Sequence, residues 1–117
     1  MNYKFPKSEK LRLKKDIDNL FKTGKKEFVY PLSLIFLPIE GSGKNLCGVS
    51  VPKKKFKKAV DRNRLKRQMK EAYRLHKHEI VKDETYFHMM FVYSVQQKLE
   101  YQVIETAVVK LMKKMSK

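Results

Sequence analysis

The segment from Val51 to Arg74 constrains the fold of this chain more than any other part of it. It contains eleven Lys or Arg residues and two acidic residues, yet it is not a shapeless run of charge. From Ala59 onward its apolar residues recur at the spacing of an α-helix. The segment therefore predicts a folded, patterned cationic helix, which is a surface suited to a polyanion.

The charge balance of the whole chain limits the classes of partner that it is expected to bind. The 117 residues fit one domain with a modest core, and a hydrophobic content of 42% argues against disorder. There are 28 Lys and Arg residues against 12 Asp and Glu, a formal net charge of +16. Because like charges repel one another in a compact fold, a bound polyanion is expected to offset them. Nucleic acid is the first candidate partner, and an anionic membrane surface is the second.

The sequence lacks the marks of secretion and of membrane insertion. Cys47 is the only cysteine, so no internal disulfide can form, and a reducing cytoplasm is the expected location. Residues 1–10 are polar, lack the apolar run of a signal peptide, and are expected to form a flexible arm. No apolar stretch approaches the ~20 residues that a membrane span requires.

Hydrophobic periodicity predicts six elements in the order α-β-β-α-β-α, an α+β fold with helices packed on a small sheet. Pro31 is expected at the start or edge of the first strand, and residues 41–44 in a hairpin turn between two antiparallel strands. Gly24 is the expected end of the first helix, and Asp83 and Glu84 lie in a break after the second. The predicted elements are helix 14–23, strand 28–37, strand 46–51, helix 59–78, strand 86–94 and helix 100–115.

The central helix is predicted to have two faces. At ~100° per residue, an apolar side that includes Leu65, Met69 and Tyr73 lies opposite a cationic side. Ordinary solvated faces mix charges of both signs, which this one hardly does, so we favour a phosphate-binding surface over a merely solvated one. The amide of Asn63 among these cations is suited to a base edge or a 2′-hydroxyl, although it also fits a plain surface position.

A longer pattern runs through this helix and the loop before it: Lys53-Lys-x-Phe-x-Lys-Ala-Val-x-Arg62-Asn63-Arg64-x-Lys66-Arg67-x-x-Lys70-Glu71. Arg12-Leu-Lys-Lys15, Asp18-Asn-Leu-Phe21 with Gly24, and Gly48-Val-Ser-Val51 precede it. Together these motifs resemble the bacterial ribonuclease P protein family, whose Arg-Asn-Arg box is here Arg62-Asn63-Arg64. One departure is Lys57-Lys58, where many members have Gly-Asn, so the turn before the helix is expected to differ.

The resemblance implies both a fold and a function. The fold is a small mixed sheet of about four strands packed by three helices in the order αβββαβα, with a left-handed strand–helix–strand crossover. The function is that of the protein subunit of ribonuclease P, an endonuclease whose active site lies in its RNA. The implied partners are ribonuclease P RNA and precursor tRNA, whose 5′ leader is removed. Neither a membrane nor DNA is an implied partner. Mg²⁺ is implied for the RNA–protein complex, and no cofactor for the protein alone.

The resemblance also assigns residues to two surfaces. A central cleft between the first helix and the sheet is expected to hold the single-stranded leader through Ile17, Phe21 and Phe36. Ile17 cannot stack on a base as the aromatic residue of many relatives does, and core packing is the alternative for Ile17 and Phe21. The basic helix and its preceding loop are expected to bind RNA through Lys53, Lys54, Lys55, Lys58, Arg62, Asn63, Arg64, Lys66, Arg67, Lys70 and Arg74.

Catalytic and metal-binding constellations are not evident in the sequence. His76 and His78 are two residues apart and point to nearly opposite sides of a helix, which makes them a poor metal pair. Cys47 in an apolar strand is expected to be an inert buried thiol.

Three other functional classes stay open: a structural RNA binder such as a ribosomal protein, a basic membrane-surface protein and a helix-turn-helix reader of duplex DNA. The Asn between two Arg residues favours the ribonuclease P subunit over a ribosomal protein. The apolar side of the basic helix is needed for the sheet, which argues against the membrane-surface protein. The strands that flank the helix argue against the DNA reader.

Overall fold

The computed structural model describes residues 4–40, 43–79 and 85–116. Within them, three α-helices and four strands follow the order αβββαβα, which confirms the predicted fold class. Short 3-10 turns, Lys7–Glu9 and Lys77–Glu79, precede the first helix and follow the second. The elements are α1 (Lys14–Thr23), β1 (Lys25–Val29), β2 (Leu32–Ile39), β3 (Leu46–Ser50), α2 (Ala59–His76), β4 (Tyr86–Tyr93) and α3 (Tyr101–Met115).

The four strands form one mixed sheet in the order β1-β2-β4-β3. β2 pairs antiparallel with both β1 and β4, whereas β3 pairs parallel with β4. Because β3 and β4 are parallel neighbours, α2 is the crossover that connects them. The strand–helix–strand unit implied by the family resemblance is therefore present, and its left-handedness stays a prediction.

Two strand predictions were wrong. The predicted strand 28–37 is two strands, β1 and β2, which meet in a turn at Tyr30–Pro31, where the peptide bond is cis. Pro31 has no N–H to donate to a strand ladder, so the chain turns there. Strand 46–51 was expected to pair antiparallel with the first strand, but β4 lies between β2 and β3.

The connection from β2 to β3 is consequently not the predicted hairpin, since its flanking strands are not neighbours. Gly41 and Ser42 of that connection lie outside the described residues, as do Asp83 and Glu84 of the predicted break after α2. The predicted helix 59–78 ends at His76 and continues as the short 3-10 turn.

The two faces of the sheet are covered by different helices. α2 and α3 pack on one face and build the larger core with β2 residues such as Leu34 and Phe36. α1 packs on the other face, where Leu20 is clustered with Ile35 and Met90. The predicted apolar stripe of α3 is buried in the larger core, as expected: Ile104, Ala107, Val108, Leu111, Met112 and Met115.

Gly24 ends α1 as predicted. Its N–H donates to the carbonyl oxygen of Leu20 at 2.8 Å, and its φ of −70° is open to any residue. A β-carbon at this position would lie 2.5 Å from that same oxygen. Close approach of the helix backbone, rather than a left-handed conformation, therefore requires glycine here.

The start of the chain, predicted to be a flexible arm, contacts the folded body from Lys4 onward, since the carbonyl oxygen of Lys4 accepts a hydrogen bond from Nζ of Lys77. The rings of Phe5 and Tyr73 pack with their centroids 5.2 Å apart. Lys10 forms a β-bridge with Cys47 of β3, and Lys77 forms an ion pair with Glu9 at 2.7 Å. These contacts hold the described part of the arm against α2 and β3.

Candidate nucleic-acid interface

α2 combines a core-facing stripe with a cationic outer surface. Its buried residues, Leu65, Met69, Ala72 and Tyr73, belong to the larger core. At 100° per residue, Lys66 and Lys70 then lie on the margin that faces β3 and the arm. Arg64, Arg67, Gln68 and Glu71 lie on the opposite margin, which faces α3. The helix therefore carries two polar margins with separate surroundings.

The residues predicted to bind RNA are mostly at the surface of the protein. Most of this set is exposed and a smaller number are half-buried. Arg74, one of the half-buried residues, forms an ion pair with Glu71. The exposed residues are Lys53, Lys54, Lys58, Asn63, Arg64, Arg67 and Lys70, and the half-buried residues are Lys55, Arg62, Lys66 and Arg74.

Arg62 has a structural partner that the sequence did not reveal. Its Nη1 donates to the carbonyl oxygens of Phe56 and Lys57, each at 2.8 Å. Phe56 is buried, with its ring edge-on to that of Tyr93 at a centroid distance of 5.5 Å. Arg62 thus ties the lysine-rich loop to the first turn of α2, while its contact with RNA stays a prediction.

A groove of about 280 Å³, here called the arm groove, runs between α2, the arm and the start of α1. Its lining combines cationic groups with an apolar floor. Ile17 lies in this groove, half-buried, opposite the cations of α2. The lining residues are Phe5, Lys10, Leu11, Arg12, Ile17, Cys47, Gly48, Val49, Lys66, Lys70 and Met90.

On the other side of α2, a notch of about 420 Å³ opens against the first residue of α3. Its lining combines two guanidinium groups, a carboxamide, a carboxylate and a phenol ring. We call it the α3 notch; its lining residues are Arg64, Arg67, Gln68, Glu71 and Tyr101.

The three predicted leader-cleft residues are not brought together. Phe21 of α1 is 51% exposed, on the sheet face that α1 covers only in part. Phe36 is 7% exposed and belongs to the core under α2 and α3, with its ring edge-on to Phe87 at 6.1 Å. Its assignment to the cleft was wrong, because neighbouring residues of a strand point to opposite faces. Ile35 of β2, and not Phe36, lies on the face of the sheet that α1 covers.

The cleft beside Phe21 has a polar floor that sequence reasoning missed. The hydroxyl groups of Ser33 and Ser94 lie 2.8 Å apart and share a hydrogen bond. A correct strand register would have found Ser33, since it alternates with Leu32 and Leu34 and thus shares the face of Ile35. The floor and walls of this cleft are formed by Phe21, Gly24, Lys26, Ser33, Ile35, Val92 and Ser94.

Two ionisable groups, the buried Cys47 and the half-buried His76, have pKa values that their surroundings shift. Burial raises the pKa of the Cys47 thiol well above its usual value, which fits an inert thiol. Burial lowers the pKa of His76, but its hydrogen bonds to Glu105, at 3.0 Å, and to Glu79 outweigh this effect and raise the pKa. Among the described residues there is no group of three His, Cys, Asp or Glu side chains that could hold a metal ion.

Fold and surface together define a class of protein. It is a basic α+β protein with helices on both faces of a mixed sheet, and its longest helix presents cations between two grooves. None of the helices in the described part of the chain is long and apolar enough to cross a bilayer.

Comparison with known proteins gives the family. The family model described as Ribonuclease P matches residues 5–116, so this chain belongs to the ribonuclease P protein family. A ribonuclease P protein component from Porphyromonas gingivalis is 47% identical over 74 residues, which cover 62% of this chain and 54% of that protein. The chain thus spans about half the length of that relative. One from Clostridium botulinum (strain Langeland) is 33% identical over 108 residues, 92% of this chain and 95% of that protein.

Solved structures share the fold. The RNase P protein from Thermotoga maritima superimposes with a TM-score of 0.75 at 24% identity, covering 91% of this chain and 96% of that chain. The RNase P protein from Staphylococcus aureus gives a TM-score of 0.73 at 20% identity, covering 95% and 97%.

Proposed function

We propose that this chain binds the catalytic RNA of ribonuclease P and the 5′ leader of precursor tRNA, and so assists removal of the leader. The observation that carries the proposal is the arrangement of α2, whose buried stripe fixes it to the core while its cations lie between two grooves. Arginine forks bind phosphates at two points, and each neutralised phosphate adds to the salt dependence of binding.

The two RNA ligands would use different surfaces of the protein. The lysine loop and the outer side of α2 would bind the catalytic RNA. The leader would lie along the arm groove and the cleft beside Phe21, where an exposed ring is available for stacking. Stacking of a base on an aromatic ring contributes about 1–3 kcal/mol. Because Ile17 cannot stack, Phe21 would be the principal stacking residue of α1.

Hydrolysis would be the work of the RNA, which would bind the Mg²⁺ ions. The protein would contribute affinity and positioning, in the cytoplasm where precursor tRNA is processed. Its cations would offset the charge of the two RNA molecules where they meet, because each bound phosphate otherwise repels its neighbours.

The proposal is tested by reconstitution. The purified chain is expected not to cut precursor tRNA, but to restore cleavage by a bacterial ribonuclease P RNA at a low magnesium concentration at which the RNA alone is inactive. Absence of rescue would refute the proposal and favour a structural RNA binder such as a ribosomal protein.

Charge-matched variants locate the RNA surface. Arg64→Ala with Arg67→Ala removes two exposed cations of α2, and Lys110→Ala with Lys113→Ala removes two exposed cations of α3. Only the first pair is expected to lower the salt slope of RNA binding, by roughly one unit for each phosphate that is no longer neutralised. Equal effects of both pairs would mean that net charge alone, rather than the α2 surface, attracts the RNA.

A leader-specific variant separates the second surface from the first. Phe21→Ala is expected to weaken binding of precursor tRNA to the reconstituted complex by about 5- to 20-fold, within the range expected for a single base stacked on a ring. Binding of tRNA without a leader should not change. Tyr30→Ala is the control, because Tyr30 is also 51% exposed but lines neither the arm groove nor the cleft.

A further inference from the structure

The α3 notch has a composition that phosphate binding does not explain. Arg64, Arg67, Gln68 and Glu71 recur at the i, i+3, i+4 and i+7 positions of α2 and form one stripe along it. A notch made for phosphate alone would not include a carboxylate, since like charges repel. The carboxylate of Glu71, whose Oε1 is ion-paired with Arg74, and the amide of Gln68 instead supply an acceptor and a mixed donor–acceptor pair beside the two guanidinium groups.

Gln68 is the most unusual member of this lining. Its Oε1 is sealed from solvent and has no hydrogen-bond partner among the described residues. A buried carbonyl oxygen without a donor is uncommon in folded proteins and calls for an explanation. Because the terminal amide of Gln rotates over a broad range, a modest rotation can turn this oxygen toward the notch, where a ligand N–H could satisfy it.

Tyr101 is held in place at the mouth of the notch. Its hydroxyl hydrogen-bonds Glu105 at 3.4 Å, and the same carboxylate oxygen is hydrogen-bonded to His76 of α2 at 3.0 Å. Burial, with the neighbouring carboxylates of Glu105 and Glu71, raises the pKa of Tyr101 to about 12, so the ring stays neutral. A fixed, neutral, half-buried ring beside hydrogen-bonding groups suits a flat heteroaromatic ligand.

We propose that the α3 notch holds one unstacked nucleobase of the bound RNA, with its face on Tyr101 and its edge read by Gln68 and Glu71. Arg64 and Arg67 contact the phosphates on either side of that nucleotide. Bases of single-stranded loops and bulges are read in this way, by stacking on aromatic rings and hydrogen bonds to their edges. The inference rests on the proposed function, because it requires an RNA partner.

Neutral substitutions test the notch separately from the charged surface. Gln68→Ala is expected to weaken binding to ribonuclease P RNA by about 5- to 20-fold with the salt slope unchanged, because no charge is removed. Gln102→Ala is the matched control: it removes the same side chain from an exposed position next to Tyr101, outside the notch lining. Equal affinity of the two variants, or a lowered slope for Gln68→Ala, would overturn the proposal.

A second pair of variants tests the stacking contact. Tyr101→Leu removes the flat ring and is expected to lower affinity by a similar factor, whereas Tyr101→Phe keeps the ring and is expected to bind like the unmodified protein. Equal binding by all three proteins would refute the stacking contact. Thermal melts monitor the folding of each variant. If Tyr101→Leu does not fold, the comparison of Gln68→Ala with Gln102→Ala tests the proposed base site.

The source of the base is distinguished by repeating the assay with precursor tRNA. A loss of affinity that is present with ribonuclease P RNA alone assigns the base to that RNA, and a loss that appears only when precursor tRNA is added assigns it to the substrate. No loss in either assay refutes the notch as a base site. If instead the unmodified protein neither binds nor rescues the RNA, the proposed function itself has failed.

Discussion

Arg62 is the residue whose replacement separates a folding role from an RNA-binding role. Its Nη1 donates to the carbonyl oxygens of Phe56 and Lys57 at 2.8 Å each. A hydrogen bond from a charged donor contributes about 1.5–3 kcal/mol, and less where water competes for the acceptor. Since the bond to Phe56 is part-buried and the bond to Lys57 is exposed, about 2 kcal/mol is expected for the pair.

Arg62→Ala is therefore expected to lower the melting temperature by roughly 8 °C, because 1 kcal/mol shifts a domain of this size by about 4 °C. Arg64→Ala removes the same charge from an exposed position on the same helix and should change the melting temperature by no more than about 2 °C. Arg62→Lys keeps the charge but loses the guanidinium fork, so an intermediate value is expected.

Circular dichroism melts of the three variants at one salt concentration measure this difference. If Arg62→Ala and Arg64→Ala melt within about 2 °C of each other, the guanidinium of Arg62 does not hold the loop, and the reasoning from its two hydrogen bonds is wrong. If the expected difference is found, a loss of RNA affinity in Arg62→Ala must be attributed at least in part to the loop.

Further outcomes follow from packing and protonation. Leu20→Ala is expected to lower the free energy of unfolding, measured in urea, by about 2–5 kcal/mol, because Leu20 is fully buried. Leu13→Ala, at a 68% exposed position, should change that free energy by no more than about 0.5 kcal/mol. Gly24→Ala should cost about 1–3 kcal/mol, since its β-carbon would press on the carbonyl of Leu20; an unchanged stability would show that α1 can shift. The folded-state pKa of His76 is raised, so its stabilising contribution is complete below the unfolded pKa of about 6.5 and is lost as pH rises through the folded value. The stability difference between the unmodified protein and His76→Gln should therefore shrink from pH 6 toward pH 9, and a pH-independent difference would contradict this.

The helices were predictable because their signal is local. The apolar stripe of α3 repeats at helical spacing, and every predicted member of it is buried. The two faces of α2 follow from the same periodicity, with Leu65, Met69 and Tyr73 inside. Where one face of an element is exposed to solvent and the other is buried, the apolar residues recur in the sequence with the period of that element.

The strands were harder to predict for a physical reason. β2 is covered by α2 and α3 on one face and by α1 on the other, so residues 32–36 are all buried and the period of two disappears. A continuous apolar run does not tell which residue faces which helix, and this is how Phe36 was placed in a cleft that Ile35 faces. The pairing of β3 with β4 is non-local, and nothing within residues 46–50 specifies it.

The cationic surface of α2 was predictable from the sequence, but the contacts of its side chains were not. The cations of α2 are evident in the sequence, but the carbonyl partners of Arg62 depend on how the loop folds back over the helix. The α3 notch depends on Tyr101, which packing of α3 against α2 brings beside Gln68. Contacts between elements that are distant along the chain produce no periodic pattern in the sequence, so a single sequence does not reveal them.

The position of α2 between the arm groove and the α3 notch has a geometric consequence. With its side chains, an α-helix is about 10–12 Å wide, so nucleic acid segments held on its two sides are kept roughly that far apart. Base-pairing hydrogen bonds span only about 3 Å. In the proposed complex the two segments would therefore not anneal to each other while both sites are filled, because the buried stripe anchors the helix between them. The helix would then keep the two segments apart as well as bind them.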